Sequence, residues 1–245
     1  MQFLVFDIWG DYGHFKRFYT TTSPLTHSFP PPTAVFGMLG AILGVDKREY
    51  LRHINLNTLS LSIAIVNLIK KARYGLNLVN TKDNFWVPVK KAYHEPRIQV
   101  KTEFLKECRF RIYVCFHNPE WQNKLKENLS AHKTYYTLSL GLASCLANFD
   151  YMGEFEAKKE NEKEVYIHSV VPMSKFINVS LEQGKKYFKE RVPCNMTPDR
   201  EVTSYEDVIF NPDGQIENPL KLKVKECFLL KNNECIVTFL SLIHI

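Results

Sequence analysis

The sequence predicts an α+β fold. Strand-like apolar stretches precede, separate and follow two helical periods, and aromatic residues reach 13 %, with 17 Phe and 12 Tyr. Aromatic and β-branched side chains suit the pleated surface of a sheet better than a pure helical bundle. At 245 residues, 45 % apolar and 24 % charged, the chain has room and material for one large or two small cores.

Phe3 to Trp9 is apolar and reads as a buried first strand. Asp11 to Ser28 is dense in Tyr, Thr, Ser and His without a period, and reads as a long loop. Pro30-Pro31-Pro32-Thr33 opens a helix, because proline tolerates the extended approach and a first turn that needs no N–H. Val35, Phe36, Leu39, Ile42 and Leu43 then recur at helical spacing through Gly44. Gly37, Gly40 and Gly44 each cost a helix about 1 kcal/mol against alanine, which implies that another backbone comes close. Leu59 to Leu68 reads as a second strand, and Ile98 to Glu107 and Arg109 to Phe116 as two more. Pro119 to His132 is a polar helix with Trp121, Leu125 and Leu129 on one face. Tyr136 to Phe149 holds a glycine-bearing turn followed by another apolar stretch.

This order, β, α, β, β, α, β, is that of a ferredoxin-like (split βαβ) domain over residues 1–149. Asp150 to Glu164 carries six acids against three lysines and reads as a boundary loop. Residues 150–245 then form a small antiparallel β domain, with Asn232-Asn233 as a hairpin turn.

The net charge of +6 is unevenly spread. Between Leu68 and Arg111 lie eleven basic and four acidic residues, so this segment exceeds the charge of the whole chain. Such a block steers and holds a polyanion through counterion release. A solvated charged face is the competing reading. Tyr74, Phe85, Trp86, Tyr93, Phe104 and Phe110 interleave with the cations, and rings beside cations are what single-stranded RNA needs. The block is therefore expected to form a projecting β-hairpin, a thumb over about 70–111. The basic G-F/Y-G/A-F core of an RNA-recognition motif is absent, which directs RNA to loops and hairpin.

Other chemistries find no support. The sequence has no G-x-G-x-x-G, no Walker-type lysine, no H-x-x-x-H, no G-x-S-x-G and no C-x-x-C. The six cysteines are expected to be reduced, buried thiols, and neither a metal nor another cofactor is expected. The longest apolar stretch, Ala34 to Val45, falls short of the ~20 residues of a membrane span. With no signal-peptide pattern, the expected location is cytoplasmic, with no membrane partner. His94 with Lys90, Lys91 and Tyr93 is the one cluster with a general base and cations for cutting RNA without metal. The reading adopted is that these residues contact RNA without chemistry, so no catalytic residue is assigned. A metal-independent endoribonuclease is the alternative, and a free-standing RNA-binding module a third reading.

Thr22-Ser23-Pro24-Leu25-Thr26-His27-Ser28-Phe29-Pro30-Pro31-Pro32-Thr33, the preceding Gly13-His14-Phe15-Lys16-Arg17, and the glycine-bearing helix that follows resemble the N-terminal signature of the CRISPR-associated protein 5 family of the RAMP superfamily. Leu140-Gly141-Leu142-Ala143-Ser144-Cys145-Leu146-Ala147 is similar to that family's glycine-bearing turn. Size and motif details look closest to the subtype I-B branch. The resemblance implies a non-catalytic subunit of a type I (Cascade) interference complex in antiviral defence. Such a subunit caps the 5′ handle of the CRISPR RNA, touches the backbone and large subunits, and meets target DNA only indirectly. The residues it points to are Lys16, Arg17, Thr22, Ser23, Thr26 and His27 in the N-terminal loop. Lys90, Lys91, Tyr93, His94 and Arg97 follow on the thumb, and Gly141 and Ser144 at the turn. The I-C branch of the family processes its own precursor with a Tyr, Lys and His set. Lys90, Lys91 and His94 lack the adjacent Lys-His pair expected of it.

Overall fold

The fold was analysed in a computed structural model that describes residues 1–18, 20, 23–81, 90, 93 and 95–239. Among these, the elements run β1 (Gln2–Gly13), α1 (Pro32–Leu43), α2 (Tyr50–His53), β2 (Leu59–Ile65), β3 (Lys70–Val79), β4 (Arg97–Phe116) and α3 (Pro119–Ser130). They continue with β5 (Asn148–Ile167), β6 (Val171–Pro172), β7 (Phe176–Val179), β8 (Phe188–Met196), β9 (Val202–Phe210), β10 (Leu220–Leu230) and β11 (Cys235–Ile236). The architecture is α+β and its strand pairs are antiparallel.

The main sheet follows the order β11-β10-β5-β1-β4-β2, with β3 added to β4 and β7 to β10. A smaller sheet has the order β6-β9-β8. Even-numbered residues of β1, Leu4, Phe6 and Ile8, face the main core together with Val35, Phe36, Leu39 and Ile42 of α1. Val192, Val208 and Phe210 of the smaller sheet close the same core, with Phe29 meeting Phe210 edge-on at 5.4 Å. Odd-numbered Phe3 and Val5 face the other way, onto Tyr113, Phe228 and Ile236. This period-two split of apolar residues to both faces explains why β1 reads as a continuous apolar run.

Two expectations are corrected here. Residues 98–116 form one strand rather than two: β4 runs unbroken from Arg97 to Phe116, through Glu107, whose φ is +51°. Residues 150–164 form the body of the 20-residue β5 rather than a loop. Two of the acids there are held by lysines on neighbouring elements, Lys126 to Glu154 at 2.7 Å and Lys231 to Glu156 at 2.6 Å. β5 therefore crosses the expected border at 149–150, pairing with β1 at one end and β10 at the other.

The helix glycines also answer differently. A Cβ on Gly40 would lie 3.1 Å from the Tyr50 Cβ, so a side chain packs there rather than a backbone. Gly44 ends α1 at φ +73°, in the left-handed conformation glycine adopts without penalty. Asn233 turns the β10–β11 hairpin as expected, also with positive φ. Among the described residues no helix is long and apolar enough to cross a membrane.

Candidate nucleic-acid interface

The loop after β1 is built from its own polar groups. Thr26 is fully buried; its Oγ1 accepts from the Phe15 N–H at 2.9 Å and donates to the His27 carbonyl at 3.0 Å. His27 is buried too, and its Nδ1 lies 2.5 Å from a Glu190 carboxylate oxygen. Arg17 reaches the same oxygen at 3.0 Å and donates from Nε to the Thr26 carbonyl. Burial raises the Glu190 pKa, but hydrogen bonds from His27 and the Ser28 N–H, with the nearby Arg17 charge, outweigh it and hold the carboxyl below its ordinary value. From the opposite side Glu103 accepts from the Thr26 N–H, and the Lys71 ammonium donates to the Thr26 carbonyl at 3.0 Å. Burial lowers the Lys71 pKa, against the pull of Glu103 and Glu190. Thr26, His27 and Arg17 are thus the frame of the loop.

What the frame presents is a groove of about 440 Å³. Its walls are Lys16 and Phe18 from the loop, Pro31 and Thr33 at the start of α1, Tyr50 of α2, the Gly141–Leu142 turn, and Met196, Arg200 and Tyr205 of the β8–β9 hairpin. Lys16 and Arg200 are exposed and have no ion pair with a described residue. Phe18 is 62 % exposed, and its ring lies 5.1 Å from that of Tyr205. The Arg191 guanidinium stacks over Tyr205 at 5.5 Å. Arg200 holds φ at +67°, a conformation non-glycine residues rarely take, in the turn between β8 and β9. Two further depressions, beside α2 and beside Gly40, also open onto Arg200.

Gly141 forms the far lip of this groove. Its φ is +90°, and a Cβ there would sit 1.9 Å from the His14 carbonyl oxygen, so only glycine lets the turn lie against the end of β1. The His14 N–H donates to the Leu140 carbonyl at 2.9 Å and fixes the contact. The buried His14 ring lies 2.7 Å from the Glu103 carbonyl oxygen, and burial pushes its pKa down. Ser144 is exposed on the other side of the same turn.

The thumb is a hairpin of β3 and β4, from Lys70 opposite Lys106 to Val79 opposite Arg97. Much of its basic charge is already paired. Lys70 lies 2.6 Å from Glu107, Lys71 3.5 Å and Arg73 3.8 Å from Glu103, and Lys90 3.6 Å from Glu95. Arg109 and Arg111 do not belong to the thumb surface. They bond Asp7 on β1, and Arg111 also bonds Glu234 at the β10–β11 turn, tying the hairpin to the sheet. Arg97 and Lys101 are exposed with no ion pair to a described residue. Tyr93 is fully exposed, and Ser23 lies exposed on the N-terminal loop. Thr22, Lys91 and His94 lie outside the described residues.

Of the residues expected from sequence, Lys16, His27 and Gly141 meet at the groove, while Arg17 and Thr26 belong to the frame behind it. Phe18, Tyr50, Arg200 and Tyr205 were missed. A ring or a cation single in its segment gives no periodic signal; for Arg200 the one hint is the Thr197-Pro198-Asp199-Arg200 turn composition. No group of described residues is arranged to hold a metal ion.

Residues 3–210 match the family described as "CRISPR-associated protein (Cas_Cas5)". No curated protein matches the sequence. Among solved structures, a CRISPR protein from Archaeoglobus fulgidus superimposes with a TM-score of 0.58 at 14 % identity, covering 98 % of this chain and 100 % of that one. A chain of a structure described as "CRISPR RNA-guided surveillance complex" superimposes with a TM-score of 0.50 at 11 % identity, covering 96 % and 93 %.

Proposed function

The chain belongs to the CRISPR-associated protein (Cas_Cas5) family, and from that premise we propose that it is a non-catalytic subunit of a type I interference complex that caps the 5′ handle of the CRISPR RNA. The observation that carries this reading is the groove, where the cations Lys16 and Arg200 stand beside the ring pair Phe18 and Tyr205. Cations neutralise phosphates whatever the sequence, and rings accept unstacked bases. The glycine-bearing turn brings backbone close to the same space without a side chain in the way. In this reading β1-α1-β2-β4-α3-β5 is the ferredoxin-like unit, the β3–β4 hairpin is the thumb, and backbone and large subunits cover the remaining faces. Assignment to the I-B branch belongs to the same proposal.

The test is equilibrium binding of a short single-stranded RNA with the repeat-derived handle of the host, against the same RNA with the handle scrambled. The handle RNA is expected to bind more tightly, and Arg200→Ala to weaken it by about 10- to 150-fold, as loss of a charge-assisted contact of about 1.5–3 kcal/mol implies. Equal binding of both RNAs, unaffected by Arg200→Ala, overturns the reading.

A further inference from the structure

The loop after α3 is pinned at several points. His132 turns it with φ at +50° and stacks its ring on Phe149 at 4.5 Å. The Lys133 N–H donates to the Asn128 carbonyl, and the N–H groups of Tyr135 and Tyr136 both donate to the Ala41 carbonyl in α1. A Cβ on Gly44 would lie 2.5, 2.8 and 2.9 Å from three atoms of the Tyr135 ring, so the ring rests on the end of α1. Even so, Tyr135 is 57 % exposed and Tyr136 52 %. Two ammonium groups stand over the Tyr135 ring, Lys133 at 5.3 Å and Lys124 of α3 at 5.8 Å, and Lys124 also lies 5.7 Å from the Trp121 ring. Glu120 and Glu127 flank Lys124 at the helix spacings where a lysine ordinarily finds a carboxylate. Its ammonium turns to the rings instead, and neither lysine has an ion pair with a described residue. A cation held over a π face keeps its whole charge, whereas an ion pair cancels it.

We propose that this face, formed by α3, the loop after it and the end of α1, docks an acidic polypeptide segment of a partner protein. The two held ammonium groups take its carboxylates. Beside them lies a depression of about 360 Å³, whose apolar wall of Gly37, Ala41, Val45 and Tyr136 takes an apolar side chain of the same segment. A nucleic-acid strand fits this face less well. Trp121 is already stacked with His53 at 5.6 Å and 25° and with Phe116 at 6.3 Å and 27°, and Tyr135 is engaged by Gly44 and the lysines. These rings serve the chain itself rather than an incoming base. Exposed Glu120 and Glu127 interrupt the positive charge, which opposes an even row of phosphates and suits carboxylates set singly along a polypeptide. Aromatic residues at the centre with charges around them are also what protein interfaces select. The inference stands apart from the RNA-binding reading of the groove.

The probe is a short labelled peptide of glutamates around one leucine, titrated onto the purified full chain. Two control peptides carry glutamine for glutamate and alanine for leucine. The wild type is expected to bind the first peptide more tightly than either control, and less tightly as salt rises. Lys124→Gln with Lys133→Gln should weaken it about 2- to 30-fold, the effect of losing two exposed ion pairs. Reversing both charges, Lys124→Glu with Lys133→Glu, should weaken it further. The glutamine variant should melt as the wild type does and bind single-stranded RNA unchanged. Carbodiimide, which joins a carboxylate to an amine in contact with it, should couple the bound peptide to Lys124 and Lys133 of the wild type, a readout that needs no variant. Coupling to other lysines instead, equal binding of the glutamine peptide, or an affinity untouched by either double variant overturns the proposal. Equal losses of RNA and peptide affinity in the glutamine variant also overturn it, in favour of a surface for phosphates.

Discussion

Glu190 is a carboxylate with three donors converging on it, from His27, Arg17 and the Ser28 N–H. Because its folded pKa is held below the ordinary 4.5, the unfolded chain takes up its proton first as acid is added. Its stabilisation is thus fully present above pH 4.5 and is lost as the pH falls through the lowered folded value. Glu190→Gln is expected to cost about 1.5–3 kcal/mol at neutral pH, the range for a hydrogen bond to a charged group. Below pH 4.5 the gap to the wild type should narrow. Thermal melts across that range check this, and a constant gap down to acid unfolding would remove Glu190 from the account. At this scale the sequence shows that residues 11–28 are polar and hydroxyl-rich, but polar groups serve a ligand or the loop itself equally well. Thr26 and His27 went inward because a loop that leaves the end of a central strand needs buried partners for its backbone. The partner that decided it, Glu190, lies 163 residues from His27.

The thumb shows what an element adds to a charge count. Eleven basic residues between 68 and 111 describe a block, yet register sorts them: Lys70, Lys71 and Arg73 face acids on β4, and Arg109 and Arg111 belong to the sheet below. Arg97 and Lys101 lie beyond the end of β1, where β4 has only β3 beside it. Replacing both by alanine is therefore expected to reduce the log–log salt slope of RNA binding by about 0.7 per lost phosphate contact. Titrations at several salt concentrations measure it, and an unchanged slope would move the RNA off the outer thumb. Helix α1 and strand β2 were legible because their apolar periods are local, whereas β3, exposed along most of its length, was not read as a strand and the hairpin was expected from its charge alone. β5 was not legible either, since its charges are neutralised across strands, as Lys159 is by Glu226 on β10, and cross-strand pairing leaves no trace in a linear count.

At the scale of the whole molecule, chain end and sheet edge come together. The Phe239 N–H donates to the Leu61 carbonyl at 2.9 Å and Ser62 donates to the Val237 carbonyl, so the segment after β11 covers the outer edge of β2. β10 and β11 extend the main sheet at its other end. A sequence read domain by domain misses this, because closing one sheet with both halves of the chain is a long-range pairing. Of the described histidines, three are absorbed into the structure, His14 onto Glu103, His27 onto Glu190 and His168 accepting the Cys235 N–H, whereas His53, His117 and His132 are exposed. A metal-independent nuclease needs a histidine or equivalent base with free access to a 2′-hydroxyl, and a cation beside the scissile phosphate. The expected outcome is that the purified chain binds a precursor CRISPR RNA in EDTA and leaves it uncut. Cleavage at one site with a 2′,3′-cyclic phosphate on the upstream product is the contrary result. His94→Ala is the control for it, since loss of a general base costs about 10²- to 10⁴-fold in rate. Cleavage abolished by that substitution, with RNA binding retained, would make the chain a processing nuclease and transfer the site from the groove to the thumb.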